Sequence, residues 1–267
     1  MDNRPIGVFD SGLGGLTVVK EIIKELPGEN IVYFGDTARI PYGTRSREIV
    51  TRYSSQSIRF LLSKNVKIAV IACNTVSACC FEILSDSFNL PLVSVIQPGA
   101  RAAAEATRNG RVGVIGTSGT IRSKAYPDAI RAINPDIKVF DQACTLFVPI
   151  AEEGWSNTEV ARYTAERYLQ VFKQQKVDTL VLGCTHYPLL EKTIASVLNS
   201  DVRLVNPAVN TARRVKEILK SSNQLNNGQE HPGIEFYVSD FGQGFQTIGG
   251  RFLGREIQAK CIDIEEY

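Results

Sequence analysis

Two cysteines occupy equivalent positions in two similar stretches of this 267-residue sequence. An apolar, β-branched run ends in a thiol and continues into small polar residues both in Lys67–Thr75, which contains Cys73, and in Asp178–His186, which contains Cys184. A thiolate can remove a proton and a thiol can deliver one. Two thiols in equivalent positions therefore predict one acid/base on each face of a single substrate.

The segments around these thiols are predicted to be strands that lead into helices. Each apolar run is typical of a buried parallel strand, and open α/β sheets bind ligands at the carboxyl ends of such strands. We expect the helix N-terminus that follows to lower the pKa of the thiol and to increase the fraction of thiolate. The remaining cysteines are interpreted as inert, small apolar residues; they are Cys79, Cys80, Cys144 and Cys261.

The order of the elements indicates a duplication. Ile6–Gly12 and Val112–Gly119 are strands that open into Gly-rich turns, and Ile31–Asp36 corresponds to Ile137–Gln142. Amphipathic helices are predicted between the strands, at Leu16–Leu26, Arg45–Ser63, Ile121–Ile133 and Glu159–Gln174. The sequence therefore predicts an α/β fold of two pseudo-symmetric parallel-sheet domains, with helices on both faces and the active site in the cleft between them.

The C-terminal part is expected to complete the first sheet. A helix at Ala208–Ser221, an exposed loop at residues 222–230, a strand at Ile234–Ser239 and a helix at Phe241–Leu253 are predicted there. Such a short piece is more plausible as part of an existing sheet than as a separate unit. The predicted domains are residues 1–96 plus 209–267, which form a discontinuous unit, and residues 97–208.

Two polar loops are predicted to contact a ligand. Asp10–Gly15 is not a dinucleotide fingerprint, because Thr17 stands where a third glycine is needed. It is interpreted either as a plain tight turn or as an amide-rich loop that binds a carboxylate, with Asp10 beside a cation or a thiol. Tyr33–Gly43 follows a strand and is rich in hydrogen-bonding groups, which favours a ligand loop.

Two further residue types bear on proton transfer. His186 adjoins Cys184, and we expect it to assist that thiol. One carboxylate of Glu152 and Glu153 is placed to point into the cleft, although the pair is equally compatible with a solvated surface.

Composition limits the remaining classes of function. The formal net charge is only +2, and no basic run is interleaved with aromatic residues, so nucleic-acid binding is not implied. No stretch of about 18 apolar residues could span a membrane. Six cysteines without a short-spaced framework favour a reducing cytoplasm, and no CxxC or paired-histidine motif indicates a zinc site.

Five segments of the sequence form a specific combination of motifs: Gly7–Thr17, Gly35–Gly43, Ala72–Thr75, Phe147–Gly154 and Gly183–Pro188. Taken together, they resemble the motifs of the glutamate racemases within the aspartate/glutamate racemase superfamily. Two small departures are Val76, where alanine is usual, and Thr145, where proline is usual; neither position has a chemical role.

The resemblance implies a two-base racemase that interconverts L- and D-glutamate without pyridoxal phosphate or a metal. Cys73 and Cys184 would be the catalytic acid/bases, and Asp10, Glu152 and His186 the auxiliary residues. It also implies a small-molecule substrate, glutamate, a homodimer, and a supply of D-glutamate for bacterial peptidoglycan. The substrate-binding positions implied are Asp10, Ser11, Pro41, Tyr42, Gly43, Cys73, Asn74, Thr75, Thr117, Cys184, Thr185 and His186.

Two alternatives stay open at this point. An aspartate or hydantoin racemase would keep both thiols and change the pocket around them. A non-catalytic module that binds a dicarboxylate would need neither thiol, and exchange of the Cα proton with solvent distinguishes it from an enzyme.

Overall fold

Ten strands form two separate sheets in the computed structural model, which describes residues 2–226, 232–240 and 245–267. The first sheet has six strands in the order β10-β9-β2-β1-β3-β4, and the second has four in the order β6-β5-β7-β8. In chain order the strands are β1 (Ile6–Asp10), β2 (Ile31–Gly35), β3 (Ile68–Ile71), β4 (Leu92–Ser94), β5 (Arg111–Gly116), β6 (Lys138–Ala143), β7 (Thr179–Gly183), β8 (Arg203–Val205), β9 (Ile234–Val238) and β10 (Ala259–Cys261).

Helices cover both faces of each sheet. They are α1 (Leu16–Glu25), α2 (Arg47–Ser63), α3 (Asn74–Cys79), α4 (Phe81–Ser87), α5 (Ile96–Ala106), α6 (Ser118–Ser123), α7 (Ala125–Ile133), α8 (Phe147–Glu152), α9 (Glu159–Gln174), α10 (Glu191–Val197), α11 (Pro207–Ser221) and α12 (Phe245–Leu253).

Both sheets repeat one strand order, in which the second, first, third and fourth strands of each series lie side by side. All of the pairings are parallel. Successive side chains of a strand point to opposite faces, so Val8 and Phe9 of β1 enter different apolar cores, as do Val114 and Ile115 of β5. The predicted pseudo-symmetric α/β fold is confirmed. Below, the first half means the six-stranded sheet with its helices, and the second half means the four-stranded sheet with its helices.

One predicted helix is wrong in its extent. The segment Ile121–Ile133 belongs to two helices, α6 and α7, which are separated at Lys124. Lys124 adopts a left-handed conformation, with φ of 59°, and this ends α6. The apolar period continues across the break, so it does not reveal the interruption.

The C-terminal strands lie in the first sheet, where β9 pairs with β2 and β10 pairs with β9. Helix α11 covers the predicted segment Ala208–Ser221, and α12 begins at Phe245. Residues 227–230 of the predicted loop and residues 241–244 of the predicted helix lie outside the described residues. The exact division into domains, residues 1–96 plus 209–267 against 97–208, stays a prediction.

A buried ion pair holds the end of the first sheet opposite the cysteines. Lys67, which precedes β3, places Nζ 2.6 Å from Oε2 of Glu29, and both side chains are excluded from solvent. The same ammonium donates to the carbonyls of Asp2 and Gln224, each at 2.8 Å. The pair therefore joins the start of the chain to the segment after α11.

Across the described ranges, none of the helices has the length and apolar character needed to cross a bilayer.

Candidate active site

A cavity of about 170 Å³ lies where the carboxyl ends of the two sheets face each other. Its walls come from the segments that follow β1, β2 and β3 in the first half and β5, β6 and β7 in the second half. The lining residues are Ser11, Gly12, Ile40, Pro41, Tyr42, Gly43, Cys73, Asn74, Thr75, Thr117, Val148, Glu152, Cys184, Thr185 and His186. All the site residues predicted from the sequence are in this set except Asp10, which lies behind the wall.

Cys73 is held at the first-half wall as a buried thiol. It occupies the N-cap position of α3 without a capping hydrogen bond from its side chain, and its Sγ lies 3.2 Å from Oγ of Ser11. Burial raises the pKa of Cys73 to about 12, and the negative charge of Asp10 acts in the same direction. The Ser11 hydroxyl and the backbone amide of Val76 offset this only in part. The expectation that a helix N-terminus lowers the pKa is therefore wrong for Cys73, because burial outweighs the helix end.

Cys184 has a basic neighbour, whereas the charged neighbour of Cys73 is acidic. Its Sγ lies 3.8 Å from Nδ1 of His186, and Nε2 of the same imidazole lies 2.9 Å from Oε1 of Glu152. Burial alone would lower the pKa of His186, but the hydrogen bonds to Cys184 and Glu152, together with their negative charges, raise it to about 10. His186 is therefore an imidazolium at neutral pH and faces Cys184 with a positive charge.

Glu152 is the member of the acidic pair that reaches the cavity. It ends α8 and contacts His186, whereas Glu153 is exposed to solvent. The bond from His186 gives Glu152 a fixed orientation even though its side chain is 31% exposed.

Asp10 is a buried carboxylate beneath the turn that follows β1. Its Oδ2 accepts the backbone N–H of Gly12 at 2.9 Å, and its Oδ1 is left without a hydrogen bond among the described residues. Burial raises the pKa of Asp10, while the charge of His186 and the backbone amides of the turn oppose this shift. The backbone amides of the turn therefore bond Asp10, and binding of a ligand carboxylate by this loop stays a prediction.

Hydrogen-bonding side chains from both halves meet beside the thiols. The hydroxyl oxygens of Thr75 and Thr117 lie 2.9 Å apart, and Thr117 caps α6 by accepting from the backbone N–H of Thr120. Thr17 donates to the carbonyl of Thr185 at 2.9 Å. Hydroxyl, amide and helix N-terminal N–H donors suit an anionic group such as a carboxylate.

The loop after β2 is anchored through Asp36. The Tyr42 hydroxyl donates to Oδ2 of Asp36, Arg39 donates to the same oxygen at 2.7 Å, and Ser239 of the C-terminal part donates to Oδ1 at 2.8 Å. Burial raises the pKa of Tyr42, so it remains a neutral phenol. This anchoring positions Pro41, Tyr42 and Gly43 at the cavity.

Three lining residues were not predicted as site residues: Gly12, Ile40 and Val148. All three lie inside segments that the sequence analysis singles out, Asp10–Gly15, Tyr33–Gly43 and Phe147–Gly154, but Ile40 and Val148 are apolar residues with no chemical signal of their own. Gly14 lies below the wall, and a Cβ at that position would overlap Thr185 and would lie 2.6 Å from Nδ1 of His186. Only glycine allows this close approach of the two halves.

No group of three or more His, Cys, Asp or Glu side chains is arranged to hold a metal ion within the described part of the chain. The chemistry that the cavity offers is proton transfer by Cys73, Cys184 and the groups around them.

Two parallel-sheet halves that share one order over four strands, with a buried thiol from each in one cavity, define an α/β protein with a two-thiol site. The family described as Asp/Glu/Hydantoin racemase matches residues 6–215, and the chain belongs to this family.

Relatives and solved structures match over nearly the whole chain. A glutamate racemase of Geobacter metallireducens is 55% identical over 254 residues, which cover 95% of this chain and 94% of the relative. The crystal structure of the glutamate racemase isoform RacE1 from Bacillus anthracis superposes with a TM-score of 0.95, at 38% identity and 98% coverage of each chain. That of the Francisella tularensis glutamate racemase in complex with D-glutamate gives a TM-score of 0.93, at 40% identity and full coverage of both chains.

Proposed function

We propose that this protein is a cofactor-independent glutamate racemase, which interconverts L- and D-glutamate by two-base proton transfer. The observation that carries the proposal is that Cys73 and Cys184 line one cavity and have oppositely charged neighbours, Asp10 and His186. The family membership and the identity to glutamate racemases over nearly the full length support the choice of reaction and of substrate.

The surroundings of the two thiols suit the acid and the base with which the reaction starts. Cys73 keeps its proton at neutral pH, because its pKa is raised to about 12. The Sγ of Cys184 faces Nδ1 of the His186 imidazole at 3.8 Å, a contact that suits the group that starts as the base. Cys184 removes the Cα proton of one enantiomer, and Cys73 delivers its own proton to the opposite face. In the reverse reaction the roles are exchanged. By resemblance to the glutamate racemases, Cys184 acts on the L-form and Cys73 on the D-form.

The donors around the cavity supply the rest of the rate enhancement. The Cα proton of an amino acid is a far weaker acid than a thiol of pKa about 8.5. General acid/base catalysis typically contributes only about 10²–10⁴-fold. The hydroxyls of Ser11, Thr75, Thr117 and Thr185 and the amide of Asn74 bind the substrate carboxylates and stabilise the charge that develops beside Cα.

Exchange of the Cα proton with deuterium tests the proposal directly. Purified protein, dialysed against a chelator and free of pyridoxal phosphate, is incubated in D₂O with L-glutamate, D-glutamate or L-aspartate, and the Cα–H signal is followed by NMR. We expect loss of the signal and loss of optical rotation for both glutamate enantiomers, with aspartate a poor substrate. Rapid turnover of L-aspartate would favour the aspartate racemase alternative. Binding without any exchange would favour the binding module.

The biological setting follows from the same reaction. We propose that the enzyme acts in the cytoplasm, where its six unbridged cysteines stay reduced, and supplies D-glutamate for peptidoglycan. Growth of a D-glutamate-requiring bacterial strain on expression of the protein tests this role. We also propose a homodimer, by resemblance to the family, which light scattering after gel filtration tests.

We further propose that residues 1–96 plus 209–267 and residues 97–208 are the two domains. The support is that β4 ends at Ser94 in the first sheet and β5 begins at Arg111 in the second, while the chain returns between β8 and β9. Limited proteolysis that releases either unit intact would support these boundaries.

A further inference from the structure

Tyr126 extends from the second half into the wall that the first half contributes to the cavity. It lies near the start of α7, and its hydroxyl donates to Oδ1 of Asn74 at 2.8 Å. Tyr126 does not itself line the cavity, whereas Asn74 does. Both residues are buried, with exposures of 1% and 5%.

The ring of Tyr126 is held in one place by the backbone of two glycines. A Cβ at Gly183 would lie 3.1 Å from Cε2 of the ring, and a Cβ at Gly99 would lie 3.2 Å from Cε1. Gly183 is the residue before Cys184, so the ring packs directly behind the second thiol. Burial raises the pKa of Tyr126, and its hydroxyl therefore remains a donor at neutral pH.

The hydrogen bond determines which end of the Asn74 amide is available to a ligand. An amide has one acceptor end and one donor end, and Tyr126 occupies the acceptor end. The Nδ2 group of Asn74 donates to none of the described residues, so it is the end left for the cavity. A rotated amide would present an oxygen instead and would repel a carboxylate.

We propose that Tyr126 is a positioning residue for the racemisation, which holds Asn74 with its NH₂ group toward a substrate carboxylate. This inference rests on the proposed function, because it takes glutamate as the ligand. Since Tyr126 and Asn74 belong to different halves, the bond forms only when the halves are in contact across the cleft. The donor is therefore oriented by the same contact that shapes the cavity.

The variant Tyr126→Phe keeps the ring and removes only the hydroxyl. A hydrogen bond of this kind contributes about 1 kcal/mol, so we expect kcat/KM for glutamate to fall about five- to tenfold. The loss should appear mainly in KM, since the carboxylate is held in the ground state and in the transition state alike. The matched control is Tyr237→Phe on β9, outside the cavity. It removes a tyrosine hydroxyl that donates to Glu235 and accepts from Lys64 at the end of α2, so kcat and KM should not change.

A double-mutant cycle separates positioning from a structural effect. In an Asn74→Ala background, Tyr126→Phe should cause no further loss in kcat/KM, because the group it orients is gone. Full additivity of the two losses would overturn the proposal, as would an unchanged KM in Tyr126→Phe. Thermal unfolding of each variant shows whether the fold is retained.

Calorimetric binding of glutamate to the same variants distinguishes this inference from the proposed function. A wild-type protein that binds glutamate but does not exchange its Cα proton would refute the racemase proposal alone. Equal glutamate affinity in the wild type and in Tyr126→Phe would refute the role of Tyr126, whatever the activity. The role of Tyr126 would be supported if Tyr126→Phe weakened glutamate binding in the wild-type background and caused no further weakening in the Asn74→Ala background.

Discussion

His186 and Glu152 form an ion pair, in which Nε2 of the imidazole lies 2.9 Å from Oε1 of the carboxylate. The other nitrogen, Nδ1, faces Sγ of Cys184 at 3.8 Å. Phe252 of α12 packs edge-on against the imidazole, with 5.2 Å between the ring centroids. The imidazole is therefore held so that one nitrogen addresses the thiol and the other the carboxylate. His186 thus places a positive charge beside Cys184, and none of the described residues does the same for Cys73.

The two thiols should be separately essential. Replacement of either Cys73 or Cys184 by alanine should lower racemisation at least about 10²–10⁴-fold, because each direction needs one base and one acid. An analogue with a leaving group on Cβ needs only the deprotonating thiol, so elimination should survive for one enantiomer in each variant. Cys261→Ala, which removes an exposed thiol, is the control. Normal racemisation by both variants would refute the two-base mechanism.

His186→Asn should slow the reaction about 10–10²-fold, since it removes the charge that faces Cys184. L- and D-glutamate are mirror images with an equilibrium constant of one, so kcat/KM must fall equally in both directions. The asymmetry should appear in kcat, with the larger loss from L to D. Progress curves by circular dichroism from each enantiomer measure it. Equal losses of kcat in both directions would contradict a specific partnership with Cys184.

Stability should decrease as the pH rises from neutral toward 10. His186 has a pKa of about 10 in the folded protein and about 6.5 when unfolded. Its stabilising contribution is fully present below pH 6.5 and is lost as the pH approaches 10. Cys73 adds to the decrease above about pH 8.5, where only the unfolded thiol ionises. Urea unfolding at several pH values measures the slope. His186→Asn should flatten it, and an unchanged slope in that variant would contradict the assignment.

The buried ion pair at the other end of the first sheet should matter for stability and not for chemistry. Lys67→Ala leaves Glu29 as an unpaired buried charge, so we expect a loss of about 3–5 kcal/mol in the free energy of unfolding. Lys24→Ala removes an exposed partner of Glu21 and should cost less than about 1 kcal/mol. Denaturant titration compares the two. Equal losses would show that burial of the pair is unimportant.

The sequence predicts those parts of the fold and cavity that depend on local pattern. Buried strands such as β3 and β7 are continuous apolar runs that end in a thiol at equivalent positions of the two repeats, so Cys73 and Cys184 are predicted to serve one site. Strands β4 and β10 have only three residues each, too few for a periodic signal. The raised pKa of Cys73 depends on how completely the packed halves exclude water, which no local pattern encodes.

The same limit applies to the residues that support the cavity. Val148 is an apolar residue in an apolar run, and Tyr126 follows a break between helices; neither has a chemical signal in the sequence. Their roles arise because residues far apart in the chain meet when the two halves pack. Asn74 and Tyr126, for example, are brought together only by that packing.

The duplicated topology supplies two equivalent thiols, while Asp10 and His186 make them unequal. Under the proposed two-base mechanism, an L-to-D turnover leaves Cys184 with the proton that it took from Cα and Cys73 without the proton that it delivered. Such an enzyme is ready at once for D-glutamate, whereas a second L-glutamate must wait until protons have exchanged with water. We therefore expect that, at high substrate concentration, the exchange of these protons with water contributes to the turnover time.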